Sequence, residues 1–440
     1  MNKPRHPKGL YVLFFTEMWE RFSFYTMFAV FVLYMTEPAH YARLKTLPYF
    51  DPHLMYAWYS GLIYITPLLG GWIADRYLGC RKTVCIGALL MAVGQFLLSS
   101  MSILLFYPGL AFLIMGSGFF KPNISTMVGN LYEHDSPLRD SAFNIFYMGI
   151  NIGAFIAPLV AGWLHESYGF RWAFFAAGLG MVISTVILIN FNKYVAHADT
   201  TSTGTSGFVS VREPKNQHEF KLRMGALCTI FGIIIFWWAV YMQYGDVMNL
   251  WARDYTQPVK AYGRIMPIEW YQSINPIFII IFTPALVWLW AHLNRRRTEP
   301  STSGKMQWGF VLSVASFLIM VAAAEFARSK TLVSPYWLVG FYGIQTLSEL
   351  CLSPMGLSYV TKVAPPRYQS LMMGMWFAAS GVGSFLAGYL GQMWITPGIQ
   401  THFPVHLQPT SYFWVMSGLS VACFAMMAFA FKLVNRAPEL

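Results

Sequence analysis

Apolar residues form long, nearly uninterrupted runs along this 440-residue chain, and short polar stretches separate them. Each run is about 20 residues long, enough for a helix to cross roughly 30 Å of hydrocarbon. The runs do not alternate between polar and apolar positions, as the strands of a membrane barrel would. Twelve spans are predicted, near residues 10–36, 54–76, 82–101, 103–131, 140–165, 171–192, 222–248, 268–293, 306–326, 335–361, 369–394 and 410–434. The pattern therefore predicts an all-α integral membrane protein with twelve transmembrane helices.

The longest polar interruption covers residues 193–221 and is rich in Ser, Thr and Gly. That composition is typical of flexible linkers. The linker divides the chain into an N-terminal bundle, 1–192, and a C-terminal bundle, 222–440, of six predicted spans each. The first apolar run is long and lacks a small-residue cleavage site, so we expect no cleavable signal peptide.

The composition agrees with a membrane protein, since 56% of the residues are hydrophobic and only 11% are charged, against about 25% charged in soluble proteins. If both termini are cytoplasmic, most of the 30 Lys and Arg residues fall in cytoplasmic tails and loops, as the positive-inside rule requires. The net charge of +11 is then a topology signal. No basic face is clustered enough to predict a nucleic-acid partner. We expect a multi-pass protein of the bacterial inner (plasma) membrane, surrounded by the lipid bilayer.

Cysteine and histidine positions give little support to other chemistry. The five cysteines lie in or at the ends of spans, and none forms a CxxC pair, so disulfide and metal sites are not predicted. The ten histidines fall in loops or near helix ends. This position argues against a buried His-ligated metal and against a histidine proton relay within the bilayer, and we expect no cofactor.

The two halves resemble each other weakly. The stretches "NIGAFIAPL" from Asn151 and "GVGSFLAGY" from Gly381 share a Gly, a Phe and an Ala at the same spacing. At that offset Lys121 falls within two residues of Glu349, so each half carries one opposite charge at a similar depth. Repeated halves with a midplane site between them are typical of transporters. The alternative is that small residues recur in any packed membrane helix.

The stretch "TEMWERFSFY" places Glu17, Glu20 and Arg21 in the middle of an apolar run. Ionised groups within hydrocarbon cost several kcal/mol, so they face a cavity or a partner. One interpretation is a structural ion pair. The other is proton coupling. Two carboxylates stand against one guanidinium on this helix, so one carboxylate would need Lys121 as a remote partner. A carboxylate whose partner is taken by a substrate takes up a proton, which couples the two binding events.

The motif ExxERFxxY, from Glu17 to Tyr25, resembles the signature of the proton-coupled oligopeptide transporters within the major facilitator superfamily. Four further stretches resemble motifs of that superfamily or family: "GGWIADRYLGCRK", "FFKPNIS", "YQSINPIFIIIFTP" and "SELCLSPMGLS". The resemblance implies the major facilitator fold of two six-helix bundles. It also implies proton-coupled import of di- and tripeptides by alternating access, in a protein that we expect to be a monomer.

The resemblance also implies roles for individual residues. Arg21 and Lys121 would hold the peptide carboxylate, since a guanidinium forks onto a carboxylate and an ammonium adds a point charge. Glu349 in the other half would hold the peptide ammonium. The other implied substrate-binding residues are Tyr25, Tyr64, Asn151, Gln272, Asn275, Ser353 and Trp376. Each Tyr or Trp could instead be packing, because aromatic residues make up 18% of the chain.

The sequence departs from the family pattern at the outer gate. In "FWWAVYMQYGD", Met242 stands where the family has a Glu, and Phe28 stands where many members have an Arg. Replacing both partners of a buried ion pair by apolar residues can be neutral, so we expect an apolar gate. Asp246, one turn beyond Met242, could take the role of the missing Glu, or it could be solvated at the helix end.

Two rival functions remain open. A relative within the same family could carry another anion, such as nitrate, although the retention of Glu349 beside Arg21 and Lys121 favours a zwitterion. A membrane receptor or enzyme is the rival from another class. An enzyme would need a nucleophile–base or metal constellation within the spans, and the sequence has none.

Overall fold

The computed structural model of the chain is almost entirely helical, and it describes residues 6–132, 138–199, 214, 216–261, 263–329, 332–365, 368–399 and 403–434. Most of the predicted linker, residues 200–213 and 215, lies outside the described residues. The helices are α1 Lys8–Thr36, α2 Pro38–Leu44, α3 Pro52–Ile65, α4 Pro67–Ile73, α5 Cys80–Ser99, α6 Phe106–Asn130, α7 Arg139–Tyr168, α8 Phe170–Asn190, α9 Gln217–Tyr241, α10 Val247–Tyr255, α11 Ile274–Arg295, α12 Thr302–Ser329, α13 Tyr336–Val363, α14 Gln369–Gly391 and α15 Pro409–Val434. Two short antiparallel strands, β1 Lys260–Ala261 and β2 Arg264–Ile265, and several short 3-10 or π-helical turns complete the secondary structure of the described residues.

Membrane helices account for most of this list. Among the described residues, nine helical stretches are long and apolar enough to cross a membrane. The predicted spans 10–36 and 335–361 correspond to α1 and α13, which have 29 and 28 residues but carry candidate site charges. The predicted span 54–76 is divided at Thr66 and Pro67 into α3 and α4. The structure therefore gives a membrane protein of many helices, and the total of twelve spans stays a prediction.

The predicted span 222–248 is also divided, because the α-helix does not continue through its C-terminal end. α9 ends at Tyr241, a 3-10 turn covers Met242–Gly245, and α10 begins after Asp246. Asp246 has a backbone φ of −115° and ψ of −94°, which no helix uses. Tyr412 donates a hydrogen bond of 2.7 Å to Gln243 Oε1 within this break. The polar groups of the break are thus bonded inside the protein.

The chain forms two compact units. Unit 1 consists of Met1–Pro52, Leu62–Thr205 and Pro267–Pro276. Its helices α5 and α6 approach closely at glycines, since a Cβ added at Gly87 would lie 2.7 Å from the carbonyl oxygen of Gly116. Small residues allow such contacts between membrane helices, where packing rather than water drives association.

Unit 2 consists of His53–Gly61, Ser206–Met266 and Ile277–Leu440. Its helices α12 and α13 meet at Gly309, whose carbonyl oxygen accepts a hydrogen bond of 2.8 Å from Ser348 Oγ. A Cβ at Gly309 would lie 2.5 Å from the side chain of Leu352. In both units, therefore, a glycine lets two neighbouring helices approach closely.

Each unit includes one short segment that interrupts the other unit in sequence, since the residues before and after it belong to that other unit. Segment 53–61, the first part of α3, is compact with unit 2, although residues before and after it belong to unit 1. Segment 267–276, which precedes and begins α11, is compact with unit 1. The two segments hold several of the polar groups considered below.

Candidate functional site

The charges of α1 form one buried cluster in unit 1. Glu17, Glu20 and Arg21 are at most 5% exposed. Arg21 Nη2 donates a hydrogen bond of 2.7 Å to Glu20 Oε1, and Arg21 Nε also donates to Glu20. Arg21 Nε lies 3.1 Å from Glu17 Oε1. The guanidinium thus contacts both carboxylates that the sequence analysis singled out, and it holds them on one face of the helix.

The backbone of α7 comes close to this cluster at Gly153. A Cβ there would lie 2.4 Å from the carbonyl oxygen of Met18 and 2.9 Å from Arg21 Cβ. Any side chain at position 153 would therefore push α7 away from the charged turn of α1. This requirement gives Gly153, in the stretch "NIGAFIAPL", a packing role beside the cluster.

Lys121 of α6 contacts aromatic rings. Its Nζ lies 4.1 Å from the ring centre of Tyr64 and 5.0 Å from that of Phe24. Among the described residues, no carboxylate oxygen lies within 4.0 Å of this ammonium. Arg21 shares the second ring, since its Cζ lies 4.7 Å from the centre of Phe24. Unit 1 thus places two cations against one aromatic surface, and only Arg21 has carboxylate partners.

The remaining candidates of unit 1 lie on α1, α7 and segment 267–276. Tyr25 is half-buried and packs its ring edge-on against Phe24. Asn151 is 5% exposed, and its amide donates a hydrogen bond of 2.9 Å to the carbonyl oxygen of Tyr147 on its own helix. Gln272 is 4% exposed and Asn275 is half-buried. These four predicted binding residues are therefore polar groups at or near the interior of unit 1.

Glu349 of α13 is the candidate carboxylate of unit 2. It is half-buried, and its Oε2 accepts a hydrogen bond of 2.6 Å from the hydroxyl of Tyr241 on α9. The Tyr241 ring stacks on Trp237 with 5.1 Å between ring centres, which fixes the direction of the hydroxyl. A carboxylate oriented in this way can accept further hydrogen bonds from a cationic group.

Two more candidates of unit 2 lie near Glu349 in sequence or packing. Ser353, one turn after Glu349 on α13, is half-buried. Trp376 of α14 is 2% exposed, and a Cβ at Gly356 of α13 would lie 1.9 Å from its ring. The Trp376 ring therefore lies directly on the backbone of α13, and this contact is a packing contact.

The interpretation of Asp246 as a solvated residue at a helix end is wrong. Asp246 is fully buried in unit 2, and its two carboxylate oxygens lie 2.7 and 2.9 Å from Nδ1 of His53, which is also fully buried. The Tyr56 hydroxyl, from the same segment 53–61, donates a hydrogen bond of 2.8 Å to the carbonyl oxygen of Met242. The break after α9 is thus filled by a segment that lies 193 residues away in sequence.

A glycine on α14 makes room for the His53–Asp246 pair. A Cβ at Gly391 would lie 2.1 Å from Asp246 Oδ2 and 2.8 Å from His53 Nδ1. A Cβ at Gly388, one turn earlier, would lie 2.4 Å from the carbonyl oxygen of His53.

The two residues of the predicted apolar gate are both buried. Met242 is 2% exposed in unit 2, and Phe28 is 1% exposed in unit 1, where it stacks on Phe24.

Sequence reasoning missed two histidines. His53 pairs with Asp246, and His165 of α7 lies 2.7 Å from Glu269 in segment 267–276. Both histidines are near helix ends, the position that made them look like loop residues. A usable signal was present, since a His and an acidic residue near the ends of apolar runs are expensive unless they are paired.

Known proteins resemble this chain over nearly its whole length. A family model described as POT family matches residues 81–202 and 193–403. The peptide transporter YePEPT of Yersinia enterocolitica is 32% identical over 451 positions, which cover 88% of this chain and 88% of that protein. A solved peptide transporter POT with bound sulfate is 30% identical, with a TM-score of 0.85 over 98% of this chain and 96% of that one. A POT family transporter solved with 5-aminolevulinic acid is 26% identical, with a TM-score of 0.82 over 98% and 97%.

Proposed function

The chain belongs to the POT family, and we propose that it is a proton-coupled symporter that imports di- and tripeptides by alternating access. It is a membrane transporter rather than an enzyme. In this proposal twelve spans form two bundles in the bacterial plasma membrane, with both termini cytoplasmic, and the transporter is a monomer. Relatives named as peptide transporters and as dipeptide and tripeptide permeases support the substrate class.

The substrate assignment rests mainly on the surroundings of the Lys121 ammonium. This group is half-buried on α6, and aromatic rings, but no carboxylate among the described residues, surround it. A cation held within a membrane helix in this way can bind an external anion, and a peptide carboxylate is that anion here. Glu349, oriented by Tyr241, binds the peptide ammonium. Tyr25, Tyr64, Asn151, Gln272, Asn275, Ser353 and Trp376 complete the proposed substrate site.

The Arg21 cluster couples the proton to the peptide. Arg21 contacts both Glu17 and Glu20, and a peptide carboxylate that binds Arg21 competes with them. Glu17 Oε2 is buried and has no hydrogen-bond partner among the described residues. The carboxylate that loses Arg21 is then neutralised by a proton, because an unpaired buried carboxylate is costly. The bound peptide and the proton therefore favour each other.

The gate assignment follows the departure from the family pattern. Asp246, paired with His53, takes the role of the missing carboxylate near helix position 242. Phe28 and Met242 form an apolar contact in the proposed closed gate. A double-mutant cycle on uptake with Phe28→Arg and Met242→Glu tests this contact, since only residues that meet show a sizeable interaction term.

The decisive experiment is uptake of labelled dialanine into proteoliposomes, with and without an inward proton gradient. The gradient should drive accumulation above equilibrium. A carboxyl-amidated dipeptide and an N-acetylated one should each compete far more weakly than free dialanine, by at least about tenfold, because a buried charged partner is then left unpaired. Equal competition by nitrate and dialanine would support the anion-carrying alternative instead.

The variant Lys121→Gln sharpens this test. It should raise the KM for dialanine by about tenfold to a hundredfold, since charge-assisted hydrogen bonds contribute about 1.5–3 kcal/mol. The matched control is Lys8→Gln, because Lys8 also lies over a tyrosine ring, 5.6 Å from the centre of Tyr194, but is exposed at the start of α1. An unchanged KM in Lys121→Gln would remove Lys121 from the substrate site.

A further inference from the structure

Segment 267–276 is fastened to one face of α7 by side-chain hydrogen bonds at successive turns. Ser273 Oγ donates a bond of 2.8 Å to the carbonyl oxygen of Phe155, and Trp270 Nε1 donates one of 3.0 Å to that of Leu159. Further along the same helix, His165 Nδ1 donates a bond of 2.7 Å to Glu269 Oε1. The bonds run in opposite order along the two elements, so the segment lies antiparallel to α7.

The contact between Glu269 and α7 is close and dry. Gly162 permits it, because a Cβ at that position would lie 2.7 Å from Pro267 Cβ and 3.1 Å from Glu269 Oε2. The Glu269 side chain is only 1% exposed. Its Oε2 is buried and has no hydrogen-bond partner among the described residues. One carboxylate oxygen of Glu269 therefore has His165 as its hydrogen-bond partner, and the other is buried without one among the described residues.

His165 connects this buried carboxylate to the surroundings. Its side chain is 21% exposed, and its ring stacks on Phe170 with 3.7 Å between ring centres. The charged groups that act on His165 are Glu269 from the segment, Glu166 from its own helix and Glu37 from the end of α1. His40 of α2 also contacts Phe170, 5.8 Å from its ring centre, and is close enough to His165 to interact electrostatically. Protons can therefore reach the pair through the exposed edge of the imidazole.

We propose that His165 and Glu269 form a second proton-responsive site, which fastens segment 267–276 to α7 firmly while the imidazole is protonated and loosens it when the imidazole is neutral. The step moves one proton from the His165 imidazole to water, and the hydrogen bond from Nδ1 to Glu269 Oε1 weakens because its donor is no longer charged. The inference rests on the proposed function, because alternating access supplies the reason for release. The residues before and after the segment belong to unit 2, so a release of the segment also frees the chain that leads into them.

The same fastening positions two proposed substrate residues. Gln272 and Asn275 lie in segment 267–276, within the turns that Trp270 and Ser273 attach to α7. When the segment is fastened, these amides are held at defined positions along unit 1. When it is released, they are withdrawn from the substrate. His165 and Glu269 are thus positioning residues, which act on the peptide through the segment.

Hydrogen–deuterium exchange of backbone amides in 268–276 tests the proposal without any substrate. In lipid nanodiscs, protection of this segment should fall when the pH is raised through the window of about 5–8 in which histidine titrates. Glu269→Gln should exchange at least about tenfold faster than wild type at neutral pH and should lose the pH dependence, since its side chain cannot be charged. The matched control is Glu166→Gln, a neighbouring exposed carboxylate on α7, which should keep the pH dependence with only a small shift, because water screens its charge on His165.

Two comparisons make the outcome decisive. His165→Gln keeps a hydrogen-bond donor but removes the titrating ring, so it should also lose most of the pH dependence and serves if Glu269→Gln does not fold. Undiminished protection in both variants, or a pH response that survives in both, overturns the proposal. If wild type does not accumulate dialanine with a proton gradient, the proposed function fails, whatever the exchange shows. If wild type accumulates it but the segment never loosens, only the inference fails.

Discussion

The two His–carboxylate pairs fasten equivalent kinds of segment, but they differ in their access to water. His53 and Asp246 hold segment 53–61 within unit 2, and both side chains are 0% exposed. His165 and Glu269 hold segment 267–276 within unit 1, with the histidine 21% exposed and the glutamate 1% exposed. The atoms that meet lie 2.7 Å apart in both pairs. The shortest contact is thus the same in both pairs, and burial distinguishes the two.

Burial determines what each pair can do. Removing one partner of a fully buried pair leaves an uncompensated charge, which costs about 3–5 kcal/mol. A partly exposed pair is weaker because water screens it, and it exchanges protons with solvent directly. The comparison therefore assigns a locking role to His53–Asp246 and a sensing role to His165–Glu269.

Asp246→Asn should have the largest effect, because it breaks the sealed pair. We expect a loss of about 3–5 kcal/mol of stability and nearly complete loss of dialanine uptake. Thermal unfolding in detergent and uptake into proteoliposomes measure the two effects. The control is Asp254→Asn, which breaks the more exposed pair with Arg253, whose side chains are 26% and 20% exposed, and should cost at most about 1 kcal/mol.

Replacing both partners by apolar residues sharpens the first prediction. His53→Leu combined with Asp246→Leu should recover most of the stability, since no charge is then buried, but not the proton-driven uptake. Recovery of uptake in that double variant would mean that the pair only packs and has no role in coupling.

Gly391→Ala should have an intermediate effect, because the added Cβ would lie 2.1 Å from Asp246 Oδ2 in a place that is fully enclosed. We expect a loss of about 1–3 kcal/mol, the usual cost of overpacking. Gly162→Ala near Glu269 should cost less, since the nearest atom would be at 2.7 Å and His165 is partly exposed. Gly418→Ala meets nothing within 4 Å on α15 and should be neutral or stabilising by up to about 1 kcal/mol. Thermal unfolding of the three variants gives the order, and equal losses at Gly391 and Gly162 would contradict the comparison.

Phe170→Leu should have the smallest effect on the pairs, because it leaves both charged partners in place and removes a ring that stacks on His165 and also packs against Tyr34 and His40. Aromatic contacts of this kind contribute about 0.5–1.5 kcal/mol. The charged pair should weaken slightly, so the imidazole should lose its proton, and segment 267–276 its exchange protection, at a pH that is lower by less than about one unit. The variant should leave segment 53–61 unchanged, and a change in both segments would show that the two pairs are coupled.

Much of the secondary structure was predictable from the sequence. The long apolar runs predicted α1, α5–α8 and α11–α15 within a few residues, because a helix within hydrocarbon needs about 20 apolar residues whatever its neighbours are. The two breaks were not predicted. The turn at Met242–Gly245 and the division at Thr66–Pro67 lie in apolar runs, where hydropathy cannot distinguish a straight helix from a broken one.

The candidate site divides in the same way. Glu17, Glu20, Arg21, Lys121 and Glu349 were identifiable because a charge within an apolar run needs a local explanation. The family likewise followed from short motifs. The contacts between these charges did not follow from the sequence. Arg21 contacts both carboxylates of α1, while Lys121 lies on aromatic rings.

The sequence by itself thus determined the membrane class, most of the helices and the charged residues, because these depend on the solvent and on neighbours within a few turns. Only the tertiary structure decided the pairing of His53 with Asp246 and of His165 with Glu269, which are 193 and 104 residues apart. Such pairs depend on which helices pack together and on a glycine, Gly391 or Gly162, that lets the backbone come close. No local pattern encodes that distance, since it is set by packing between segments that are remote in the chain.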